Sequence, residues 1–393
     1  MTAGWVAYVG PFPFPWGAAG SRRVLGVAMS LAHAGRRVVV ASGSPARVVD
    51  APEVVHREGA GRGVVEHVPL GELLAPGTPF ALKAIRHYLT WGRRTVDWLD
   101  SQVTKPSCVI VYGGGTPYAR RIRRWCRNNQ VAAVADVVEW YSPKQLRGGF
   151  LGPDHVSAKW ALMYEYSRLD GIVAISQHLK THFGSRGLPT VVVPPTLDVT
   201  AQPMCEPEPR DRLQVLYFGT PGRKDSIWEC LRAAREVGHA VELVVAGPSE
   251  SEVRALAPRE ELPGNVRFLG RKPQAEVASL VARADFTILA REDARYTRAG
   301  FPTKVVESLA AGTPVIANIT SDLGEYLLDG REALVAIDGT AYALADALRR
   351  AVALSKEERL AMRVRARACA GQFDYRAHAA SLEAWLRTLE RAA

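Results

Sequence analysis

The chain has 393 residues, too many for one ordinary core and enough for two domains of common size. Its 47% hydrophobic and 23% charged content is that of a globular protein and excludes a disordered or fibrous one. The net charge of +10 is unevenly held: residues 1–195 carry 23 Lys and Arg against 12 Asp and Glu, residues 196–393 carry 27 against 28. The five cysteines are scattered and form no CxxC pair, which predicts reduced thiols and neither a disulfide framework nor a zinc site. No run approaches the ~18 apolar residues of a membrane span. The stretch MTAGWVAYVGPFPFPW lacks a basic n-region, so no signal peptide and a cytoplasmic location are expected.

In chain order, WVAYVG (5–10) predicts a strand, SRRVLGVAMSLAHAG (21–35) a helix and RRVVVAS (36–42) a strand. The turn PFPWGAAGS (13–21) offers Gly17 and Gly20 but is only loosely a dinucleotide fingerprint. No acidic residue closes RRVVVASGS to hold a ribose, which counts against an oxidoreductase. Further strands follow at PSCVIVYGGG (106–115), QVAAVAD (130–136), DGIVAIS (170–176) and PTVVVPP (189–195), with helical patterns between them. Such Val-rich strands alternating with helices predict a parallel sheet covered on both faces. YARRIRRWCRN (118–128) sets five Arg beside Ile122 and Trp125. That charge suits an anionic substrate or membrane surface, or is simply a solvated helix; with no nucleic-acid motif beside it, no nucleic-acid partner is expected. AVADVVEWYSP (133–143) ends a strand with Asp136, Glu139 and Trp140, residue types that suit sugar hydroxyls or, alternatively, cap a turn. His155 and His178 fall in helical patterns and read as structural.

PPTLDVTAQPMCEPEPRDR (194–212) is a Pro-rich break that reads as a linker. Strands then restart at LQVLYFG (213–219), AVELVVAGP (240–248), NVRFLG (265–270), ADFTILA (284–290) and TPVIAN (313–318). Two doubly wound halves predict a cleft between them, with ligands beyond the carboxyl ends of the strands. In VLYFGTPGRKDS (215–226), Gly219 and Gly222 let main-chain amides approach an anion that Arg223 and Lys224 neutralise; no GxxxxGK[ST] loop is present. In RAGFPTKVVESLAAGTPVIAN (298–318), Pro302 fixes the turn, Thr303 is placed to cap, Lys304 adds a cation and Glu307 follows one helical turn later. A helix start of this kind suits a diphosphate, and the Glu suits a ribose diol; the plain alternative is a capped helix with a solvent-facing Glu. HAASLEAWLRTLERAA (378–393) carries Leu382, Trp385, Leu386 and Leu389 on one face of a final helix.

Together these stretches resemble the retaining glycosyltransferases of family 4. AHAGRRVVV resembles that family's helix-Gly-strand passage, IVAISQHLKTHFGSRGLPTVVVPPTLD (172–198) its passage into the second domain, and NVRFLGRKPQAEVASLVARADFTILA (265–290) its base-side segment. GFPTKVVESLAAGTPVIAN resembles the end of its paired-glutamate motif. The resemblance implies a GT-B fold: an α/β chain of two Rossmann-like domains facing a cleft, residues 1–196 binding the acceptor and 197–374 the donor, with 375–393 crossing back to the first. It also implies that Glu307 holds the donor ribose, that Lys224 and the backbone at Thr303 and Lys304 meet the diphosphate, that Gly17 and Gly20 lie near the phosphates, and that Arg271 and Lys272 lie beside the base. Three positions depart from the family. Ala299 stands where the first glutamate belongs, and Thr220 where an arginine follows Gly219, with Arg223, Arg295 and Arg298 as candidate replacements. The usual first-domain histidine is missing, with Asp136 or Glu139 in its region.

The expected function is retaining transfer of a sugar from a nucleotide-diphosphate donor, a UDP-sugar, to an acceptor hydroxyl. No acidic cluster has metal-ligand spacing, so no cofactor and no metal are expected. The basic first half predicts a weak contact with an anionic membrane surface. A nucleotide-sugar-binding protein without turnover and a nucleotide-sugar epimerase are the alternatives.

Overall fold

Strands of Val, Ile, Leu and Ala without polar interruption have no solvent-facing side, so they are stable only where both faces are covered. The computed structural model, which describes residues 4–17, 19–46, 52–59, 61, 63–73, 77–78, 88–146, 148–221 and 224–392, arranges them in two sheets. Contacts divide the chain into one unit of Met1–Leu197 with Tyr375–Ala393 and another of Asp198–Asp374. The first division falls inside the Pro-rich break.

The first unit holds Val6–Gly10 (β1), Arg37–Ser42 (β2), Glu53–Arg57 (β3), Val64–Pro69 (β4), Cys108–Tyr112 (β5), Ala132–Val137 (β6), Gly171–Ala174 (β7) and Thr190–Val192 (β8). Their order is β3-β4-β2-β1-β5-β6-β7-β8. All neighbours are parallel except β3, which runs antiparallel to β4 at the sheet edge. Strands β3 and β4 lie outside the sequence expectation. EVVHR and VVEHVP interleave charged residues and lack a long apolar run; β3 is the sheet edge, which needs cover on fewer sides, and β4 lies between it and β2.

The last helix, Tyr375–Glu390, packs on this first sheet through its apolar face. Leu382, Leu386 and Leu389 join Val6, Val38, Cys108 and Val134 in one core, with Trp385 partly buried beside them. Gly171 in β7 permits the approach: a Cβ there would lie 2.6 Å from Leu389 Cδ1 and 2.7 Å from Trp385 Cζ2. Charge then sets the register. Arg36, only 1% exposed, donates to Glu383 at 2.8 Å, to Glu390 at 2.7 Å and to the Gly4 carbonyl at 2.8 Å. At the other end of the helix the Tyr375 hydroxyl donates to Glu58 at 2.6 Å, and His33 and His56 lie 3.1 Å and 3.0 Å from the same carboxylate. Burial pushes the Glu58 carboxyl up, but the hydrogen bonds from Tyr375, His56 and His33 outweigh it and hold the group at about 2.

The second unit holds Leu213–Phe218 (β9), Val241–Ala246 (β10), Val266–Gly270 (β11), Phe286–Leu289 (β12), Val315–Asn318 (β13) and Ala333–Ala336 (β14). All are parallel, in the order β11-β10-β9-β12-β13-β14. The period of two is visible in β9. Val215 and Tyr217 pack with Leu231, Leu344 and Leu348 on one face, while Leu216 and Phe218 pack with Val281 and Ala311 on the other. Numbered from β9, this is the 3-2-1-4-5-6 order of a nucleotide-binding sheet. Successive connections turn in opposite directions from β9 and β12, which leaves a crevice at the carboxyl ends of that pair.

Glu58→Gln is expected to cost about 1 kcal/mol at neutral pH, since the carboxylate is partly solvated. A group depressed from 4.5 to about 2 contributes fully above pH 4.5 and loses that contribution as the pH falls toward 2. Urea unfolding of the variant and the parent should therefore converge over that window.

Candidate active site

The crevice beyond β9 and β12 is built from three short segments of the second unit. After β9 the chain turns at Gly219, whose φ of 87° lies in the left-handed region. A Cβ there would sit 2.9 Å from Lys304 Cε, so the glycine leaves room for the lysine stem to cross the strand end. The turn returns to β12 through a bridge between Asp225 and Arg291, with the Ser226 amide donating to the Ala290 carbonyl at 3.0 Å. Asn318, at the end of β13, clamps Arg291 from the other side. Its Oδ1 accepts from the Arg291 amide and its Nδ2 donates to the Arg291 carbonyl, each at 2.9 Å.

The side chains meet in a charge cluster. Lys304 Nζ donates to Asp225 Oδ2 at 2.7 Å and lies 4.7 Å from the centre of the Tyr217 ring. Arg291 Nε donates to Asp225 Oδ1 at 3.2 Å. Burial pushes the Asp225 carboxyl up, yet Lys304 and then Arg291 more than compensate and hold it below the ordinary aspartate value. Burial, and then the Asp225 charge, raises the Tyr217 hydroxyl well above its own ordinary value, so this phenol stays neutral. One carboxylate thus serves two cations and leaves a net positive charge. Arg291 is 9% exposed, and its Nη1 is buried without a hydrogen-bond partner among the described residues. A buried guanidinium N–H without an acceptor is costly, and hydrogen bonds from a guanidinium are strongest to an anionic oxygen.

The helix Thr303–Ala310 starts at this cluster. Its N-cap is Pro302, with no side-chain cap, and Thr303 is the first helical residue. The expectation that Thr303 caps is therefore corrected: proline, which lacks an N–H, occupies the capping position and pre-sets the turn. Lys304 stands in the first turn and Glu307 one turn on, partly buried. Lys224 precedes Asp225 and is also partly buried, while Gly222 and Arg223 lie outside the described residues. The structure thus brings Gly219 and Lys304 from the sequence reading together with Tyr217, Asp225 and Arg291, while Lys224, Thr303 and Glu307 are their neighbours along the chain. The only sequence signal for Arg291 is a charged residue directly after the buried strand ADFTILA.

Other expected residues lie elsewhere. Arg271 pairs with Glu252 at 2.5 Å and Lys272 with Glu276 at 3.4 Å, both on the surface after β11. That edge is two strand spacings, about 10 Å, from β9. Among the candidate replacements for the missing arginine, Arg298 forms a two-point pair with Asp293 at 2.6 and 2.7 Å, and Arg295 is exposed. Ala299 is fully buried, so no side chain reaches out from the position of the first glutamate.

In the first unit, Asp136 is not an exposed acid at a strand end; it is 3% exposed in β6. Its carboxylate accepts from the Tyr8 hydroxyl and from Arg23, with Nη2 at 2.9 Å and Nε at 3.0 Å. Arg23 also donates to the carbonyls of Val193 at 2.6 Å and Pro194 at 2.8 Å. Asp136 therefore orients the arginine that ties the first helix to the chain leaving β8, which is why a sugar-binding role does not fit it. Glu139 and Trp140 follow, partly buried, with the Trp140 ring 4.6 Å from His182 and 6.0 Å from His178. Gly17 has a φ of 145°, and Gly20 opens the first helix where a Cβ would lie 2.9 Å from the Tyr112 hydroxyl. His155 is buried, with Nδ1 3.2 Å from the Phe150 carbonyl.

Asp225→Asn removes the shared counter-charge and leaves two cations facing one another. It is expected to lower stability by about 3 kcal/mol in urea unfolding at neutral pH. Because the Asp225 carboxyl is held low, its contribution is complete above about pH 4 and fades on further acidification.

Residues 202–368, all within the second unit, match the family of glycosyl transferases group 1. No curated protein matches the chain in sequence. Similar solved structures include a sucrose-phosphate synthase from Thermosynechococcus elongatus, with a TM-score of 0.71 and 16% identity over 99% of both chains. HepE from Anabaena, in complex with UDP and glucose, has a TM-score of 0.69 and 15% identity over 98% of this chain and 100% of its own. An E. coli structure described as trehalose-6-phosphate bound with UDP-2-fluoro glucose has a TM-score of 0.64 and 12% identity over 97% and 98%. The fold is accordingly GT-B, two Rossmann-like domains in one chain, and the group 1 glycosyl transferase likeness in sequence lies in the second of them.

Proposed function

We propose that the chain is a glycosyltransferase of the retaining type that moves a sugar from a nucleotide-diphosphate donor to an acceptor hydroxyl, and that the donor diphosphate sits beyond β9 and β12. The observation that carries this is Arg291: a nearly buried guanidinium at the switch point of a nucleotide-binding sheet, with one N–H unpartnered among the described residues. Lys304 and the first amides of the helix Thr303–Ala310 add positive charge at the same strand ends. The group 1 match over 202–368 supports sugar transfer, and the UDP described in two of the similar structures supports a UDP-sugar.

In this reading Arg291, Lys304 and Lys224 take up the charge that grows on the leaving diphosphate. Such groups are already oriented before reaction, so little reorganisation is needed as the bond breaks. Asp225 has a positioning role: it holds both cations in place while leaving the cluster net positive. Glu307, one turn into the helix, accepts hydrogen bonds from the ribose hydroxyls. The attacking hydroxyl approaches the face that the diphosphate leaves and gives its proton to a phosphate oxygen, as the family resemblance implies. The first unit binds the acceptor.

A second reading rests on Ala299. With alanine buried at the position of the first glutamate, the same site would bind a nucleotide sugar without turning it over.

Two measurements test these readings. UDP should raise the unfolding temperature of the parent chain, and Arg291→Lys should remove most of that shift, because an ammonium cannot reproduce the guanidinium fork. A full shift in the variant would exclude Arg291 from the site. Release of UDP from a UDP-sugar should fall by roughly 100-fold in Glu307→Ala and in Lys224→Ala, with unchanged unfolding midpoints. Parent-like rates in both would remove the donor assignment, whereas UDP binding without any turnover in the parent would favour the second reading.

A further inference from the structure

The first unit carries a second constellation that the proposed reaction does not use. It lies on the helix Gly115–Asn129 and on the segment that follows β6. The helix has five arginines and no acid. Glu165, fully buried, accepts from Arg120 at 3.0 Å and Arg123 at 3.3 Å, while Arg121 donates to the backbone carbonyls of Leu89 and Trp91. Arg124 is exposed, and no hydrogen bond or ion pair engages it among the described residues. A cavity of about 540 Å³ opens here, lined by Arg120, Arg121 and Arg124 together with Tyr88, Val156 and Trp160. Burial, and then the like charge of Arg93, lower the Arg121 pKa; Glu72 opposes the shift and Arg124 adds to it.

Beside the cavity the chain exposes apolar side chains that an aqueous surface does not favour. Phe150 is 74% exposed and Leu151 91%, on the short turn Gly149–Leu151. Val156, Trp160 and Tyr164 follow at intervals of four on one helical face, and the Trp160 and Tyr164 rings lie 4.5 Å apart. The patch is continuous with the cavity, since Val156 and Trp160 belong to both and the Tyr88 hydroxyl donates to the Pro153 carbonyl at 3.2 Å. Lys159 and Arg168 are exposed along the same segment, with the exposed acids Asp154 and Asp170 beside them. No described helix is long and apolar enough to cross a membrane.

We infer that this face docks on an anionic lipid bilayer, with lipid phosphates taken by Arg124 and the cavity and with Phe150, Leu151 and Trp160 seated among the headgroups and acyl chains. Charge complementarity selects this occupant: a guanidinium-lined hollow takes phosphate, and a ring of aliphatic and aromatic side chains beside it takes hydrocarbon. A nucleic acid would use the arginines and the rings but would leave Leu151 and Val156 in water. The inference goes beyond the proposed reaction and does not depend on it.

Co-sedimentation of the full chain with vesicles tests it. The chain should pellet with vesicles of mixed phosphatidylcholine and phosphatidylglycerol at low salt and much less with phosphatidylcholine alone or at high salt. Arg124→Glu should weaken the partitioning roughly fivefold or more. The double variant Leu151→Ser, Trp160→Ser should weaken it comparably at unchanged charge, with the unfolding midpoint of each variant checked against the parent. Equal pelleting with neutral vesicles, or full binding by either variant, would overturn the inference. So would a dimer in light scattering that the double variant abolishes without any vesicle binding by the parent, which would give the face to a second copy of the chain.

Discussion

The second unit turns on one electrostatic constraint: Asp225 stands between Lys304 and Arg291 at the carboxyl ends of β9 and β12. Parallel strands buried on both faces can present polar groups only at their ends, so charge accumulates where the sheet stops. Two cations there without a counter-charge would repel one another across a medium of low polarisability. One carboxylate between them relieves that repulsion and leaves a positive remainder aimed at the crevice. Gly219 follows from the same requirement, because a side chain there would displace the Lys304 stem. Asn318 follows too, since it fixes the backbone that carries Arg291.

In the first unit the buried charges hold the chain rather than address a ligand. Arg36 seizes two acids of the last helix, and Arg23 joins Asp136 to the carbonyls at 193 and 194. Each guanidinium spans several elements distant in sequence, which suits a planar group with five donors. The contrast with Arg291 is informative. Arg23 and Arg36 have acceptors on every side, while Arg291 keeps one N–H unpartnered among the described residues.

The basic character of the first half also divides on inspection. Of the five arginines in the helix Gly115–Asn129, two share one buried acid from another segment and one is held by carbonyls. What remains of the helix's charge for a partner is Arg124, on the cavity, and the exposed Arg127. Charge counting sees all five alike, because Glu165 is distant in sequence and its burial is invisible there.

Much of the architecture was legible in the residues alone. Period-two burial in LQVLYFG, the apolar face of Leu382, Leu386 and Leu389, and the Pro-rich break at 194–212 are local patterns, and local patterns determine strands, helices and their buried faces. The helix start at 303 and the neighbouring Glu307 were likewise readable from GFPTKVVE. The edge strand β3 and its neighbour β4 were not, because their side chains alternate in character and draw stability from pairing. Nor were the partners of Asp136 or the place of Arg291, since strand order brings together residues separated by more than 60 positions, as in the bond between Asp225 and Arg291. Sequence by itself determined which segments become strands and helices and which glycines and charges stand at their ends. Only the tertiary structure decided which of those charges neutralise one another and which stay available, because pairing depends on the order of strands in space and on burial, and neither is a property of neighbouring residues.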